Sequence, residues 1–238
     1  MRKALWTIMS CFTLSGAAHA DTIALQPFVA TYDVSYRGLS AGQLQMTLHQ
    51  DAQTNRYTFE TRANPSVLAR FVIGRDALEQ TTIETTEDGI RPLHWKLDDG
   101  KSGKDGDGEL TFDWAAGRVT GEYESKPVDL PTQPGLQDRL SIQLAVPAAL
   151  VHGREPGAIV MLNGDRTREY TYAKGATAPM DTPLGKVDTI VYESTRPKSD
   201  RVSRVWHAPS LGFVAVRAEQ IRKGKTETVM TLVRYERK

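Results

Sequence analysis

Cysteine is nearly absent. The one residue, Cys11, sits inside an apolar N-terminal stretch, so the remainder of the chain has no thiol for a disulfide, a thiolate metal ligand or a nucleophile. Long apolar runs are absent too: nothing approaches the about twenty residues that a transmembrane helix needs. Neither charge sign dominates, with 30 Lys+Arg against 29 Asp+Glu, and nucleic acid as a main partner calls for a basic face. Catalytic signatures are lacking. There is no G-x-S-x-G elbow, no G-x-x-x-x-G-K-[ST] loop and no G-x-G-x-x-G after a strand. His49, His94, His152 and His207 share no ligand spacing. These absences lead to the expectation of a non-enzymatic protein with no cofactor and no metal.

The N-terminus reads as an export signal over residues 1–20. Arg2 and Lys3 form the positive start, Ala4 to Leu14 is largely apolar, and Ala18-His19-Ala20 is a small-x-small cleavage site before Asp21. A competing reading makes Cys11, after Ile8-Met9-Ser10, the lipid-modified residue of a lipoprotein. The Ala-His-Ala site accounts for the same segment better. The expectation is a periplasmic protein whose residues 21–238 form a single domain without a transmembrane segment.

Beyond the leader, the dominant pattern is alternation with period two, the mark of half-buried strands. Phe28, Ala30, Tyr32, Val34 and Tyr36 share one face, and Thr31, Asp33 and Ser35 the other. Gly42–Leu48 and Arg56–Ala63 continue the pattern as a meander. Strands follow around 77–86, 90–97, 109–114, 119–123, 158–162, 168–172, 187–195, 202–208, 212–221 and 226–235. The last carries apolar residues on both faces and is expected to be central. Asn163-Gly164 is a hairpin signal.

Two segments break the rhythm. Pro65–Ile73 has apolar residues at helical spacings, with Asn64 as a candidate cap. Leu136–Val146 places Leu136, Leu140 and Leu144 on one stripe, with Pro147 expected to end the helix or to start a short second piece through Leu150, and Asp138 near the helix start. Between 126 and 135, Pro127, Pro131 and Pro134 predict an extended crossing loop. The fold expected is mainly β: roughly eleven or twelve strands in one large curved antiparallel sheet or half-open barrel, with one or two short helices covering its concave face.

The candidate ligand-binding residues are Trp206, Arg204, Arg217, Tyr36, Trp95 and Trp114. Arg204 and Arg217 fall on neighbouring strands, where they either clamp an anion at a cavity mouth or pair across the sheet with Glu193, Asp188 and Glu219. Trp206 is either a ligand platform or a core anchor. Tyr32, Tyr36, Leu44, Met46, Phe59, Trp95, Phe112 and Trp114 are candidates to line one concave face. If the helix leaves that space empty, an apolar cavity suited to an acyl chain remains; if it fills it, these residues are core. The segment Asp105-Gly106-Asp107-Gly108-Glu109 departs from a helical calcium loop, whose sixth and twelfth positions would be Leu110 and Ala116, and reads as a solvated turn.

Several phrases together carry a resemblance. They are P-F-x-A-x-Y-x-V-x-Y-x-G from Pro27 to Gly38, Ala41-Gly42, Asp138-Arg139-Leu140-Ser141, T-P-L-G-K-V-D-T from Thr182, and W-H-A-P-S-L-G-F-V-A-V-R from Trp206 to Arg217. This pattern resembles the DUF3108 family of exported bacterial proteins, with Ala215 standing where proline is expected. The resemblance implies a fold similar to lipoprotein carriers, a half-open β-barrel with a helical lid. By analogy it implies a lipid-like ligand or an envelope protein as partner. The competing reading is a structural or protein-interaction module whose core is filled by its own side chains.

Overall fold

The alternating segments become strands of a single sheet. The computed structural model describes residues 25–67, 77–103 and 105–238. The expected export signal, Cys11 and most of the expected Pro65–Ile73 helix lie outside them. In chain order the first strands are β1 (Phe28–Tyr36), β2 (Leu39–Gln50), β3 (Arg56–Pro65), β4 (Leu78–Thr86), β5 (Gly89–Asp98), β6 (Gly108–Asp113), β7 (Arg118–Tyr123) and β8 (Lys126–Pro131). A short β9 (Leu136–Gln137) and the helix α1 (Ile142–Val151) follow. Then come β10 (Ile159–Asn163), β11 (Arg166–Thr182), β12 (Gly185–Thr195), β13 (Arg201–Ala208), β14 (Val214–Arg222) and β15 (Lys225–Arg237).

The fifteen strands are ordered β8-β7-β6-β5-β4-β3-β2-β1-β15-β14-β13-β12-β11-β10-β9. The first and last long strands pair with each other, Phe28 opposite Arg237 and Tyr36 opposite Thr228. The N-terminal half fans out from that pair in one direction and the C-terminal half in the other. Every neighbouring pair is antiparallel except β9 with β10. β15 is central, as its two-sided apolar pattern required, and Leu232 is fully buried.

The sheet does not close into a barrel, because β8 and β9 at its two ends do not pair. Side chains bridge the gap instead. Gln137 Nε2 donates to the Ile90 carbonyl at 2.9 Å, and Arg139 Nη1 donates to the Tyr123 hydroxyl at 3.0 Å. Gly164, at the β10–β11 turn with φ +68°, packs so closely that a Cβ would lie 2.8 Å from Tyr123 Cδ1. α1 lies over the concave face. Leu136, Leu140, Leu144 and Ala148 join one apolar cluster with Trp95 and Phe112, and Val146 and Leu150 join another with Tyr192.

Four local expectations need correction. The helix begins at Ile142, not Leu136. Asp138 Oδ1 accepts from the Leu140 and Ser141 amides at 2.7 Å each, and Ser141 Oγ accepts from the Asp138 amide at 2.9 Å. This side-chain–backbone turn competes with helix over 138–141. Pro147 lies inside α1, which continues to Val151. Burial of Leu144, Val146, Ala148 and Leu150 offsets the hydrogen bond that the proline cannot donate. The stretch expected as a crossing loop holds β8, whose Pro127 and Pro131 are tolerated because it is an edge strand. Pro65, expected in a helix's first turn, ends β3.

Candidate functional site

Between α1 and the sheet, the described residues line a partly open cavity of about 360 Å³. It is built from both halves of the fold. Tyr32, Met46 and Phe59 contribute from β1–β3, Leu144 and Pro147 from α1, and Tyr172, Tyr192, Val205, His207 and Val214 from the C-terminal strands. Strand alternation puts them there: Ser203, Val205 and His207 are successive inward positions of β13, opposite Ser194, Tyr192 and Ile190 of β12.

Several polar groups in the wall have partners that the fold supplies. The β13–β14 ladder skips Val216, since Trp206 pairs with Arg217 and His207 with Ala215. The Ala215 carbonyl at this bulge accepts the Tyr32 hydroxyl, 2.9 Å away. His207 Nδ1 donates to the Phe213 carbonyl at 2.8 Å, and its ring meets Tyr192 edge-on at 6.2 Å. The Tyr192 hydroxyl donates to Glu155, which also accepts from Lys174 Nζ. A polar corner lies towards the β1–β2 turn end of the sheet. There Ser194 opposes Ser203, and Gln220 Nε2 donates to Ser203 Oγ. Arg139 reaches the cavity with its charge opposed by Glu79, 3.7 Å away.

Burial sets the charge state of this wall. It pushes the His207 imidazole down to about 4, only partly offset by the Phe213 carbonyl, so the ring is neutral at neutral pH. Burial likewise raises the Tyr32, Tyr172 and Tyr192 phenols well above their ordinary range, with Glu155 adding to the effect on Tyr192. Among the described residues no carboxylate lines the space. The arrangement can surround an apolar body and offer neutral hydrogen bonds at one end.

The six residues singled out from sequence lie elsewhere. Arg204, Trp206 and Arg217 alternate with the inward positions and form a ladder on the opposite face. Arg204 pairs with Glu193 at 2.6 Å and Arg217 with Glu219 at 2.7 Å. Both guanidinium groups stand over the Trp206 ring, at 5.9 and 5.7 Å. Tyr36 is 48% exposed at the tip of β1. Trp95 is buried, its Nε1 donating to Glu79 at 2.8 Å, and Trp114 Nε1 donates to the Pro92 carbonyl at 2.7 Å. Of the wider apolar set, Tyr32, Met46 and Phe59 do line the cavity. His207, Tyr172 and Tyr192 were missed. Alternation along β12 and β13 assigns Tyr192 and His207 to one face, but not which face is concave.

Two other clusters are present. The turn between β5 and β6 brings carboxylate oxygens of Asp98, Asp99 and Asp107 within 4.8 Å of one another, with Lys101 beside Asp99. Asp138 is fully enclosed: Thr81 Oγ1 donates to its Oδ2 at 2.6 Å, and burial raises its carboxyl to about 6 against those hydrogen bonds. The Asp138-Arg139-Leu140-Ser141 phrase therefore locks the approach to α1 onto β4.

With this geometry the family can be placed. The family described as "Protein of unknown function (DUF3108)" matches residues 31–232. The chain belongs to DUF3108. No curated protein matches it. Among solved structures, this DUF3108 chain is similar to a β-barrel-like protein of the DUF1849 family from Brucella abortus, with 14% identity and a TM-score of 0.54. That likeness covers 90% of this chain and 98% of the other, and shows a common fold. A candidate lipoprotein from Parabacteroides distasonis matches at 10% identity and a TM-score of 0.42, over 89% of this chain and 95% of its own. No helix among the described residues is long and apolar enough to cross a membrane.

Proposed function

We infer that this DUF3108 protein is a non-enzymatic protein of the bacterial periplasm that holds a small apolar ligand of the acyl-chain kind. The observation that carries the reading is the cavity itself. Its volume of about 360 Å³ falls within the ~300–1,000 Å³ range of small-molecule sites, and its wall is mostly aliphatic and aromatic. A neutral His207, the hydrogen-bonded Tyr32 and Tyr192 phenols and a wall without carboxylates among the described residues favour binding over acid–base chemistry. The leader read from residues 1–20 favours the location.

Native mass spectrometry after gentle extraction, followed by titration with a fluorescent fatty acid, tests the reading. A co-purifying lipid or saturable fluorescence supports it. A clean apo mass with no fluorescence response would sink it. An interaction role has its own support in β11, whose Thr171–Thr182 stretch pairs only with β12, leaving the other edge open among the described residues. A proline placed in that edge that abolishes partner pull-down, with the cavity shown not to take ligand, selects this alternative.

A further inference from the structure

We propose that the end of the sheet carrying the β1–β2, β12–β13 and β14–β15 turns docks onto an anionic lipid bilayer surface. The surface is independent of the cavity and of whatever occupies it. Backbone hydrogen bonds join the three turns into one patch. The Arg37 amide donates to the Glu227 carbonyl at 2.6 Å, and the Lys223 amide donates to the Asp200 carbonyl at 3.1 Å. The segment after β3 is tied to the same patch, its Ser66 amide donating to the Ala41 carbonyl at 2.9 Å.

The patch combines exposed cations with exposed aliphatic side chains. Arg37, Lys198, Arg201, Arg222, Lys223 and Lys225 are all exposed and outnumber the local acids Asp200 and Glu227. Among them stand Leu39, 72% exposed, and Val67, 71% exposed, with Tyr36 beside them under the Arg37 guanidinium. At the other end of the same strands the exposed cations Lys186, Arg237 and Lys238 are matched by Asp51, Asp181 and Glu236. A layer of anionic headgroups attracts Lys and Arg, and the headgroup–acyl boundary accepts leucine and valine. A nucleic acid would satisfy the charge and leave the aliphatic residues in water.

Arg37 (φ +50°), Lys198 (φ +59°) and Lys223 (φ +49°) each occupy the left-handed region that favours glycine or asparagine. Three adjacent turns thus place a long cation where a glycine would be less strained. The same conformation recurs at Glu124, Ser125 and Phe213 and belongs to ordinary tight turns, so its use here is that glycine is a tolerated replacement.

That strain makes the test clean, because glycine at these positions removes charge while relieving the backbone. The purified full chain is mixed with vesicles of phosphatidylcholine alone or with added phosphatidylglycerol, and binding is read by sedimentation. Binding is expected only to the anionic vesicles, and it weakens as salt rises. Each of Arg37→Gly, Lys198→Gly and Lys223→Gly is expected to lower affinity about fivefold, and the triple variant about a hundredfold. The triple variant should melt no lower than the wild type. Leu39→Asp should lower affinity at unchanged fold. Equal affinity for both vesicle types, no vesicle binding, or an unaffected triple variant overturns the proposal. Leader residues are common to all variants and cancel in the comparison.

Discussion

His207 and Asp138 are buried titratable residues with opposite effects on stability. The His207 pKa is depressed, so its contribution is present above about 6.5 and is lost as pH falls through about 4. The Asp138 pKa is raised, so its contribution is present below about 4 and is lost as pH rises through about 6. Each amounts to about 3 kcal/mol at ~1.4 kcal/mol per pKa unit, and over their shared window they oppose one another. Thr81 shows why protonation suits Asp138: its hydroxyl lies 3.2 Å from the His94 carbonyl as well as beside Asp138. A protonated Asp138 can donate to Thr81, which then donates to His94. Denaturant unfolding at a series of pH values should separate the two. Asp138→Asn should gain on the wild type by about 3 kcal/mol between pH ~4 and ~7, and His207→Asn should gain by a similar amount on acidification. The Arg204–Trp206–Arg217 ladder predicts a smaller effect. Arg204→Ala should cost about 1 kcal/mol in the same assay and leave ligand titration unchanged, since half-exposed ion and cation–π pairs contribute little.

At the scale of elements, α1 and the β10–β11 hairpin decide how the open sheet is covered. α1 is short and carries an internal proline, so its position depends on packing and on the Asp138 lock rather than on helix propensity. Leu144→Ala should therefore cost about 2–5 kcal/mol, measured by chemical unfolding. The hairpin reaches across the open side of the sheet to Tyr123. Gly164→Ala puts a methyl group into contact with that ring and strains a left-handed backbone, so it should destabilise by about 1–2 kcal/mol. It should also change the environment of Tyr123 as seen by aromatic NMR.

At the scale of the whole molecule, the two halves of the sheet meet at β1 and β15, and the cavity lies under that meeting. Ala218 faces it from β14. Ala218→Phe should fill part of the space. A ligand at a hundred times its dissociation constant stabilises the wild type by about 2.7 kcal/mol, and thermal melting with and without ligand should show that shift lost in the variant.

Much of this structure was legible in the residues. Period-two alternation specified the strands, and the two-sided apolar pattern of β15 marked a central strand, because local side-chain direction follows from the pleat alone. The hairpin signal at Asn163-Gly164 became the two-residue turn Gly164-Asp165. The start of α1 was misread because Asp138 caps its own turn, a competition that apolar spacing does not register. The edge position of β8 depended on strand order, which no local pattern encodes.

The candidate site was less legible for the same reason. Alternation says that Ser203, Val205 and His207 share a face, and that Arg204 and Trp206 share the other. Which face is concave depends on the pairing of strands nearly the whole chain apart, as when Tyr32 of β1 reaches the Ala215 carbonyl of β14. The sequence by itself determined the strands, the family and the near absence of thiol chemistry, all consequences of local pattern and composition. Only the tertiary structure decided that Arg204 and Arg217 answer glutamates on the outer face while His207, Tyr172 and Tyr192 line a cavity, because inside and outside exist only once the sheet has curved around α1.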